Sequence, residues 1–322
     1  MSVTTEDRAV GAFLGLAIGD AVGTTVEFMP RGTFPEVTDM VGGGPFKLKA
    51  GQWTDDTSMA LCIAQSLLDN SSFDEVDIMD KFVKWMESGY FSATGKCFDV
   101  GATTRMALED WRDKGSVEEQ ILYPFNPPSG DFSAGNGSLM RLAPIPMFYY
   151  NNINEGMYRS RQSSQLTTHG SPEAYLSCQV FSAMITTALN GGSKAHISAS
   201  MLLPSLKVND RNTDNLQTLV RDQTYLFKSR DQIRGNGYAV DSLEAALWCF
   251  YNTDTFEAAI LAAANLGDDA DTTAAIVGQL AGAFYGESGI RADWLTKLQD
   301  REMIGGMAEK LLTLNGQLCQ TI

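Results

Sequence analysis

The apolar residues of this chain recur with the spacing of an α-helix in one segment after another. In EVDIMDKFVKWMES (75–88), the side chains of Met79, Phe82, Val83 and Met86 stand at positions i, i+3, i+4 and i+7, which is one face of a helix. No convincing run of alternating β-branched residues appears anywhere in the sequence. The pattern therefore predicts an all-α fold, and we expect a single domain over residues 1–322.

The same periodicity marks further helices, several of which begin with Asp, Ser or Thr as a cap. They are VGATTRMALEDW, SPEAYLSCQVFSAMITTALN, DSLEAALWCFYN, TFEAAILAAAN and DTTAAIVGQLAGAFYG. Their high content of Ala and Gly predicts helices that pack closely together. Long turn-rich stretches at 28–53, 121–146 and 227–240 separate them, and loops of that length in a compact domain are usually functional. The stretch 201–234 contains no recognisable motif and is a candidate for shaping substrate entry.

The net charge of -15 restricts the partners that this chain can bind. Such a surface repels phosphate backbones and anionic lipids, so we expect neither nucleic acid nor a membrane as partner. An anionic substrate would have to be neutralised locally by cations, a metal ion or backbone N–H groups. Five scattered cysteines without a C-x-x-C motif indicate reduced thiols in a cytoplasmic protein, and at this size we expect a monomer.

The N-terminal apolar stretch, residues 9–19, does not have the pattern of a targeting segment. Acidic residues precede it, Asp20 ends it, and it lacks both a cationic flank and the length of a membrane span.

Two acidic clusters carry the candidate chemistry. One is Thr54-Asp55-Asp56-Thr57, and the other, more than 200 residues later, is GDDADTT (267–273). Each comes after a glycine-containing turn and before a helix rich in small residues. If the two helix N-termini face each other, carboxylates and threonine hydroxyls form an all-oxygen site, which suits Mg²⁺, Mn²⁺ or Ca²⁺ better than Zn²⁺. The competing interpretation is helix capping, because Asp and Thr are preferred at helix N-termini.

Seven segments together resemble the ADP-ribosylglycohydrolase family, which includes the dinitrogenase reductase-activating glycohydrolase. They occur in family order and cover nearly the whole chain. They are GAFLGLAIGDAVGTTVEF (11–28), WTDDTSMAL (53–61), FDVGATTRMAL (98–108), GNGSLMRLAPIP (135–146), THGSPEA (168–174), GNGYAVDSLEAALW (235–248) and NLGDDADTTAAIVGQLAGAFYG (265–286). The resemblance implies a compact orthogonal bundle of helices, in agreement with the periodicity.

The resemblance also implies a centre of two Mg²⁺ or Mn²⁺ ions. Its ligands map onto Thr54, Asp55, Asp56, Asp269, Asp271 and Thr272. The usual form of the second cluster in the family is G-G-D-x-D-T, so Asp268 is an additional carboxylate where glycine is common. It is either a partner of the ligands or an exposed cap.

From the family we expect cleavage of the glycosidic bond at C1″ of the ADP-ribose distal ribose, with carboxylates stabilising oxocarbenium-like charge. We hypothesise that the ions bind the 2″- and 3″-hydroxyls and present a water or hydroxide. The expected catalytic residues are Glu27, Asp56 and Asp269, with Glu27 as a general acid/base or as a residue that gates the metals. As alternatives, Glu27 is a surface carboxylate and Asp99, which matches a family aspartate near the ribose, is a helix cap.

For substrate binding, the resemblance suggests that G-N-G-S (135–138) cradles the pyrophosphate with backbone N–H groups. It also suggests that G-N-G-Y (235–238) lies against the adenosine, with the Tyr238 ring available for stacking. The expected contacts are Asp99, Gly101, Gly135, Asn136, Gly137, Ser138, His169, Gly235, Gly237 and Tyr238. The alternatives are structural roles. Each glycine-rich segment would be an ordinary turn, His169 a structural histidine and Tyr238 a core aromatic residue.

The function that follows is metal-dependent removal of ADP-ribose from a modified protein side chain, with arginine as the expected linkage. One alternative is a hydrolase of serine-linked or poly-ADP-ribose or of small ADP-ribosyl metabolites. Another is a non-catalytic member that only binds ADP-ribose, but a member of that kind should lose its carboxylates first, and both clusters are intact.

Overall fold

A computed structural model describes residues 3–114, 134–167, 171–202 and 213–318 of the chain. Within these ranges all regular secondary structure is helical, and β-type pairing is limited to two isolated bridges, Gly43 with Leu48 and Gly135 with Tyr238. The prediction of an all-α fold is confirmed.

The α-helices follow one another along the chain with connections of very different length. In chain order they are α1 (Thr5–Gly23), α2 (Asp55–Asn70), α3 (Glu75–Ser88), α4 (Ala102–Asp113), α5 (Pro144–Phe148), α6 (Ile153–Leu166), α7 (Pro172–Leu189), α8 (Lys194–Ser200), α9 (Asp214–Asp222), α10 (Ala239–Tyr251), α11 (Phe256–Ala264), α12 (Ala270–Tyr285), α13 (Ala292–Lys297) and α14 (Arg301–Leu318).

The closest helix pair is α1 with α12, which run antiparallel with backbone against backbone. Four glycines of α1, at every fourth position, each face a carbonyl oxygen of α12. The facing pairs are Gly11 with Gly282, Gly15 with Gly278, Gly19 with Ala274 and Gly23 with Ala270. A Cβ atom built on Gly15 would lie 2.2 Å from the Gly278 oxygen, and one on Gly278 would lie 2.0 Å from the Gly15 oxygen. Only glycine fits such contacts, so the expected close packing is confirmed here.

Helix α1 is long and strongly apolar. With the turn that follows it, Thr5–Val26 is long and apolar enough to cross a membrane by length and composition alone. However, 94% of its most apolar 18-residue stretch is buried inside the protein, as in the core helix of a globular fold. Its composition is therefore accounted for by its place against α12.

The buried face of α3 differs slightly from the predicted one. Met79 and Phe82 are buried as expected, but Ile78 and Trp85 complete the buried face, while Val83 and Met86 are only half-buried. The helix is rotated by about one position from the predicted orientation. Helix α9 lies in the stretch that had no recognisable motif, although Leu216, Leu219 and Val220 have helical spacing and are buried.

The turn-rich stretch 28–53 contains no helix and is held against the helices by side-chain bonds to backbone atoms. The Asn265 side chain accepts from the Val37 N–H and donates to the Val37 carbonyl, both at 2.8 Å. The Arg31 guanidinium donates to the carbonyls of Leu266, Arg230 and Ile233. Such bonds fix a long loop without regular structure of its own.

Buried apolar side chains from helices throughout the described chain form one continuous cluster, which extends from Ala9 in α1 to Leu311 in α14. A single core of this kind supports the single-domain organisation, which stays a prediction.

We predict opposite effects for alanine at two helical glycines. Gly15→Ala should lower the free energy of unfolding by about 3 kcal/mol or more, because the added methyl meets rigid backbone on the facing helix. Gly306→Ala in α14 is the matched control, since no heavy atom lies within 4 Å of the position that its added methyl would take. It should raise the free energy of unfolding by about 0.5–1 kcal/mol. Urea unfolding measures both, and equal effects would contradict the backbone contact.

Candidate active site

The N-termini of α2 and α12 meet beside the C-terminal end of α1. The Thr54 hydroxyl, immediately before α2, lies 3.1 Å from Asp56 Oδ2 and 3.5 Å from Asp271 Oδ2. The structure thus brings together two acidic clusters that are more than 200 residues apart in sequence.

Capping does not account for these carboxylates. Thr54 and Asp269 occupy the N-cap positions of α2 and α12, yet neither side chain makes a capping hydrogen bond. Asp269 Oδ2 instead accepts from Asn136 Nδ2 at 2.6 Å. Asp56 Oδ1 is buried and has no hydrogen-bond partner among the described residues. The interpretation of both clusters as ordinary helix caps is therefore not supported.

Asp20 is part of the cluster, although it was not predicted from the sequence as a site residue. It lies near the end of α1, is fully buried, and accepts hydrogen bonds from Thr54 N (2.9 Å), Thr57 N (3.1 Å) and Thr57 Oγ1 (2.6 Å). These bonds fix the first turn of α2. A signal was present in the sequence, since Asp20 is the one charged residue of the apolar segment 9–26.

The cluster concentrates negative charge in a poorly solvated place. Burial raises the pKa of Glu27 to about 9, with a further contribution from the nearby Asp99. Burial likewise raises the pKa of Asp99 to about 7 and that of Asp20 to about 6. The pKa values of Asp55, Asp56, Asp269 and Asp271 are raised too, by burial first. Carboxyl groups in such a place either stay protonated or need a cation to balance their charge.

No basic side chain of the described residues forms a direct ion pair with this cluster. No ion pair among the described residues includes a member of the cluster. Arg141 is fully buried nearby, but its guanidinium donates to the Thr167 hydroxyl and the Met59 sulfur rather than to a carboxylate.

The donor set fits a hard divalent cation. Carboxylate oxygens of Asp20, Asp56 and Asp271 lie within 4.8 Å of one another, and so do those of Glu27, Asp99 and Asp271. All donors are oxygens, as Mg²⁺, Mn²⁺ and Ca²⁺ prefer. The unpartnered Asp56 Oδ1 is explained if it is a ligand. The cluster could therefore hold a metal ion.

A cavity of about 720 Å³ opens over the cluster. Among the residues predicted from the sequence, those lining it are Glu27, Asp55, Asp99, Gly101, Gly135, Asn136, Gly137, Gly237, Asp269, Asp271 and Thr272. Phe28, Asn236 and Asp268 also line it and were not among the predicted contacts. Thr54 and Asp56 are fully buried and not part of the lining. The volume falls within the usual range for small-molecule sites, about 300–1,000 Å³.

The two glycine-rich turns support each other at one side of this cavity. Asn136 N donates to the Gly237 carbonyl at 3.0 Å, and Ala239 N donates to the Ala134 carbonyl at 2.9 Å. The Asn136 side chain is engaged with Asp269 and with the Ser242 hydroxyl. Asn136 therefore positions a carboxylate of the cluster, in addition to any contact with a ligand.

Some of the predicted contacts face elsewhere. The Ser138 hydroxyl lies 2.8 Å from Ser164 Oγ in the interior, and the Tyr238 hydroxyl donates to Glu173. Neither residue lines the cavity, nor does Gly235. Their roles in binding stay predictions, and His169 lies outside the described residues.

Asp268 is exposed at the rim of the cavity in a left-handed backbone conformation, with φ of 56°. Glycine adopts this conformation without strain, which explains why glycine suits the position. Asp269 rather than Asp268 occupies the N-cap position of α12.

Comparison with known proteins adds to this geometry. The family described as ADP-ribosylglycohydrolase matches residues 1–320. The chain is 46% identical over 305 residues to an ADP-ribosylarginine hydrolase of Pseudomonas putida (strain GB-1), covering 95% of this chain and 78% of that protein. It is 43% identical over 306 residues to an ADP-ribosylarginine hydrolase of Serratia proteamaculans (strain 568), with 95% and 79% covered. A solved structure of an ADP-ribosylglycohydrolase-related protein complex is 38% identical, with a TM-score of 0.81 over 97% of this chain and 99% of that one.

We predict that the metal-free protein loses stability as the pH rises. Raised carboxyl pKa values mean that the folded state keeps protons which the unfolded chain has lost, between the ordinary value near 4 and about 9 for Glu27. The free energy of unfolding therefore falls across this window. In EDTA, the melting temperature should be lower at about pH 8 than at about pH 5.5, and Mn²⁺ should restore it at pH 8.

The Asp56→Asn variant tests the same prediction by removing one negative charge from the cluster. In EDTA at about pH 8 it should melt higher than the wild type, and Mn²⁺ should raise its melting temperature far less. Asp69→Asn, which changes an exposed carboxylate in the last turn of the same helix, is the matched control. A wild-type melting temperature that does not depend on pH or Mn²⁺ would contradict the charge argument.

Proposed function

The chain belongs to the ADP-ribosylglycohydrolase family, and from this premise we propose that it is a hydrolase that removes ADP-ribose from arginine side chains of modified proteins. The observation that carries the proposal is the buried carboxylate cluster beneath a cavity large enough for a nucleotide-sized ligand. The arginine linkage is supported by relatives at 43–46% identity that are named ADP-ribosylarginine hydrolases.

We propose that the cluster holds two Mg²⁺ or Mn²⁺ ions. Their ligands would be Thr54, Asp55, Asp56, Asp269, Asp271 and Thr272. Bound divalent cations supply Lewis acidity, by which they fix oxygen ligands and lower the pKa of a water molecule. Two residues would position the ligands. Asp20 holds the first turn of α2 in place, and Asn136 holds the Asp269 carboxylate.

Glu27 is the proposed proton-transfer group. It lies in the cavity wall with Asp99 and Asp271 close by. Without cations its pKa is raised to about 9, and the positive charge of bound cations would lower that pKa so that Glu27 can act as a base near neutral pH. In the hydrolysis, water adds to C1″ and the C1″–N bond breaks with its electron pair going to the guanidino nitrogen. Glu27 takes the proton from the water and returns it to the released guanidine, so that arginine leaves as its ordinary cation. Asp99 stabilises the positive charge that develops on the ribose.

The remainder of the ligand would lie along the two glycine-rich turns, where Gly135, Gly137 and Gly237 line the cavity. A pyrophosphate there would rely on backbone N–H groups, since no basic side chain of the described residues lines this wall. We further propose a cytoplasmic monomer that binds neither nucleic acid nor a membrane. Its net charge of -15 and its described cysteines, four free thiols of which three are buried, support this.

The test is release of ADP-ribose from arginine-linked and serine-linked ADP-ribosylated proteins, with Mg²⁺, with Mn²⁺ and with EDTA. We expect metal-dependent release from the arginine linkage. The isosteric Asp55→Asn/Asp56→Asn variant should lower the rate by at least about a hundredfold, because it removes ligand charge. Asp69→Asn serves as control and should retain the wild-type rate.

Release that is equally fast in EDTA would contradict the metal-dependent reaction. Release from the serine linkage alone would correct the linkage while leaving the reaction class in place.

A further inference from the structure

Three phenylalanines form a row that begins with Phe28, in the wall of the acidic cavity. The Phe28 and Phe46 rings meet edge to face with centroids 6.4 Å apart, and the Phe46 and Phe98 rings are tilted at 5.0 Å. Phe28 lines the cavity and is 65% exposed. A ring this exposed contributes little to the core and is accessible to a ligand in the cavity.

The backbone holds Phe28 in an unfavourable conformation. Its φ of 62° lies in the left-handed region, which is uncommon for a bulky residue and costs about 1 kcal/mol or more. Burial of the ring does not offset this cost. Phe28 N donates to the Asp268 carbonyl at 2.7 Å, and Asp268 N donates to the Met29 carbonyl at 2.8 Å, so the two residues are held side by side.

Asp268 resembles Phe28 in its exposure, its position and its backbone conformation. It is exposed, it lines the cavity, and its φ is 56°. Its carboxylate forms no hydrogen bond or ion pair with another residue of the described ranges. A ring face and a free carboxylate, both held in strained conformations at one rim, together suit a planar cation.

The position of this rim relative to the reacting centre is also specific. Phe28 directly follows Glu27 and Phe98 directly precedes Asp99, and these carboxylates have oxygens within 4.8 Å of each other and of Asp271. The glycine-rich turns reach the cluster through Asn136 and Asp269 instead. The aromatic rim therefore lies beside Glu27 and Asp99, the carboxylates proposed to act on the scissile bond, and can meet a leaving group released next to them.

We propose that Phe28 and Asp268 bind the guanidinium group of the modified arginine and thereby select that linkage. This rests on the proposed function, since it names the residues that recognise the leaving group of that reaction. The ring supplies a cation–π contact and the carboxylate supplies charge-assisted acceptors for guanidinium N–H groups. A serine-linked substrate has no cation at this point and gains nothing from either residue.

The experiment compares Phe28→Leu, Phe28→Tyr and Asp268→Asn with the wild type. The probes are an arginine-linked ADP-ribosylated peptide as substrate and free ADP-ribose as competitive inhibitor. Phe28→Leu and Asp268→Asn should each lower kcat/KM for the peptide about threefold to tenfold, and leave the inhibition constant of ADP-ribose unchanged. Phe28→Tyr retains the ring and should restore most of kcat/KM.

The matched control is Phe227→Leu, which alters a phenylalanine that is 83% exposed and outside the cavity lining. It should leave kcat/KM at the wild-type value. The melting temperature of Phe28→Leu should equal that of the wild type, because little of the ring is buried. Mn²⁺ affinity should also stay the same in Asp268→Asn, which separates loss of a guanidinium contact from damage to the neighbouring ligand Asp269.

Two results overturn the proposal while the proposed function stands. In one, kcat/KM does not change in either variant. In the other, the inhibition constant of ADP-ribose rises by the same factor as kcat/KM falls, which would mean that the rim contacts ADP-ribose itself. A wild-type protein that releases nothing from the arginine-linked peptide, in the presence of Mg²⁺ or Mn²⁺, would instead remove the proposed function on which the inference rests.

Discussion

The direct contact between the α1 and α12 backbones is the constraint on which the site depends. Because glycines at every fourth position leave no side chain between these helices, their ends are fixed relative to each other within a narrow range. Asp20 on α1 is thereby placed beside the first turn of α2, and Asp271 at the start of α12 reaches the same point. Helix α2 adds Asp55 and Asp56 from its own first turn, and the other helices surround these three. A rigid scaffold of this kind is what precise placement of several ligands requires.

The cluster itself opposes folding. Buried carboxylates without counter-ions cost several kcal/mol each when ionised, and neighbouring charges add to that cost. The extensive apolar core and the α1–α12 contact must offset it in the metal-free protein. A site that binds cations tightly has to be unfavourable without them, since groups that are already satisfied by hydrogen bonds or ion pairs gain little from a cation. Stability and function therefore make opposite demands on the same residues.

The sequence predicted the all-α class and most of the long helices, because their apolar periodicity is strong. It also indicated which clusters hold the chemistry, through an excess of carboxylates over what capping needs. Their meeting could not be derived from spacing, because it depends on long-range packing of α1 on α12. Asp20 was missed although a lone charge in an apolar segment was a signal, because the Thr54 and Thr57 groups that donate to it are more than 30 residues away in sequence. The directions of Ser138 and Tyr238 depend on turn geometry, which the residue types alone do not fix.

The glycine contact between α1 and α12 also limits how such a chain can vary in evolution. In an ordinary core, a larger side chain on one helix can be accommodated by a smaller one on its neighbour, and the two positions then change together. Here the atom nearest to the position of a Cβ on Gly15 is the backbone oxygen of Gly278, at 2.2 Å, and no substitution can make a backbone smaller. Compensating pairs do not exist for these positions. The contact that determines where the carboxylates meet should therefore leave no covariation signal, in spite of its structural importance.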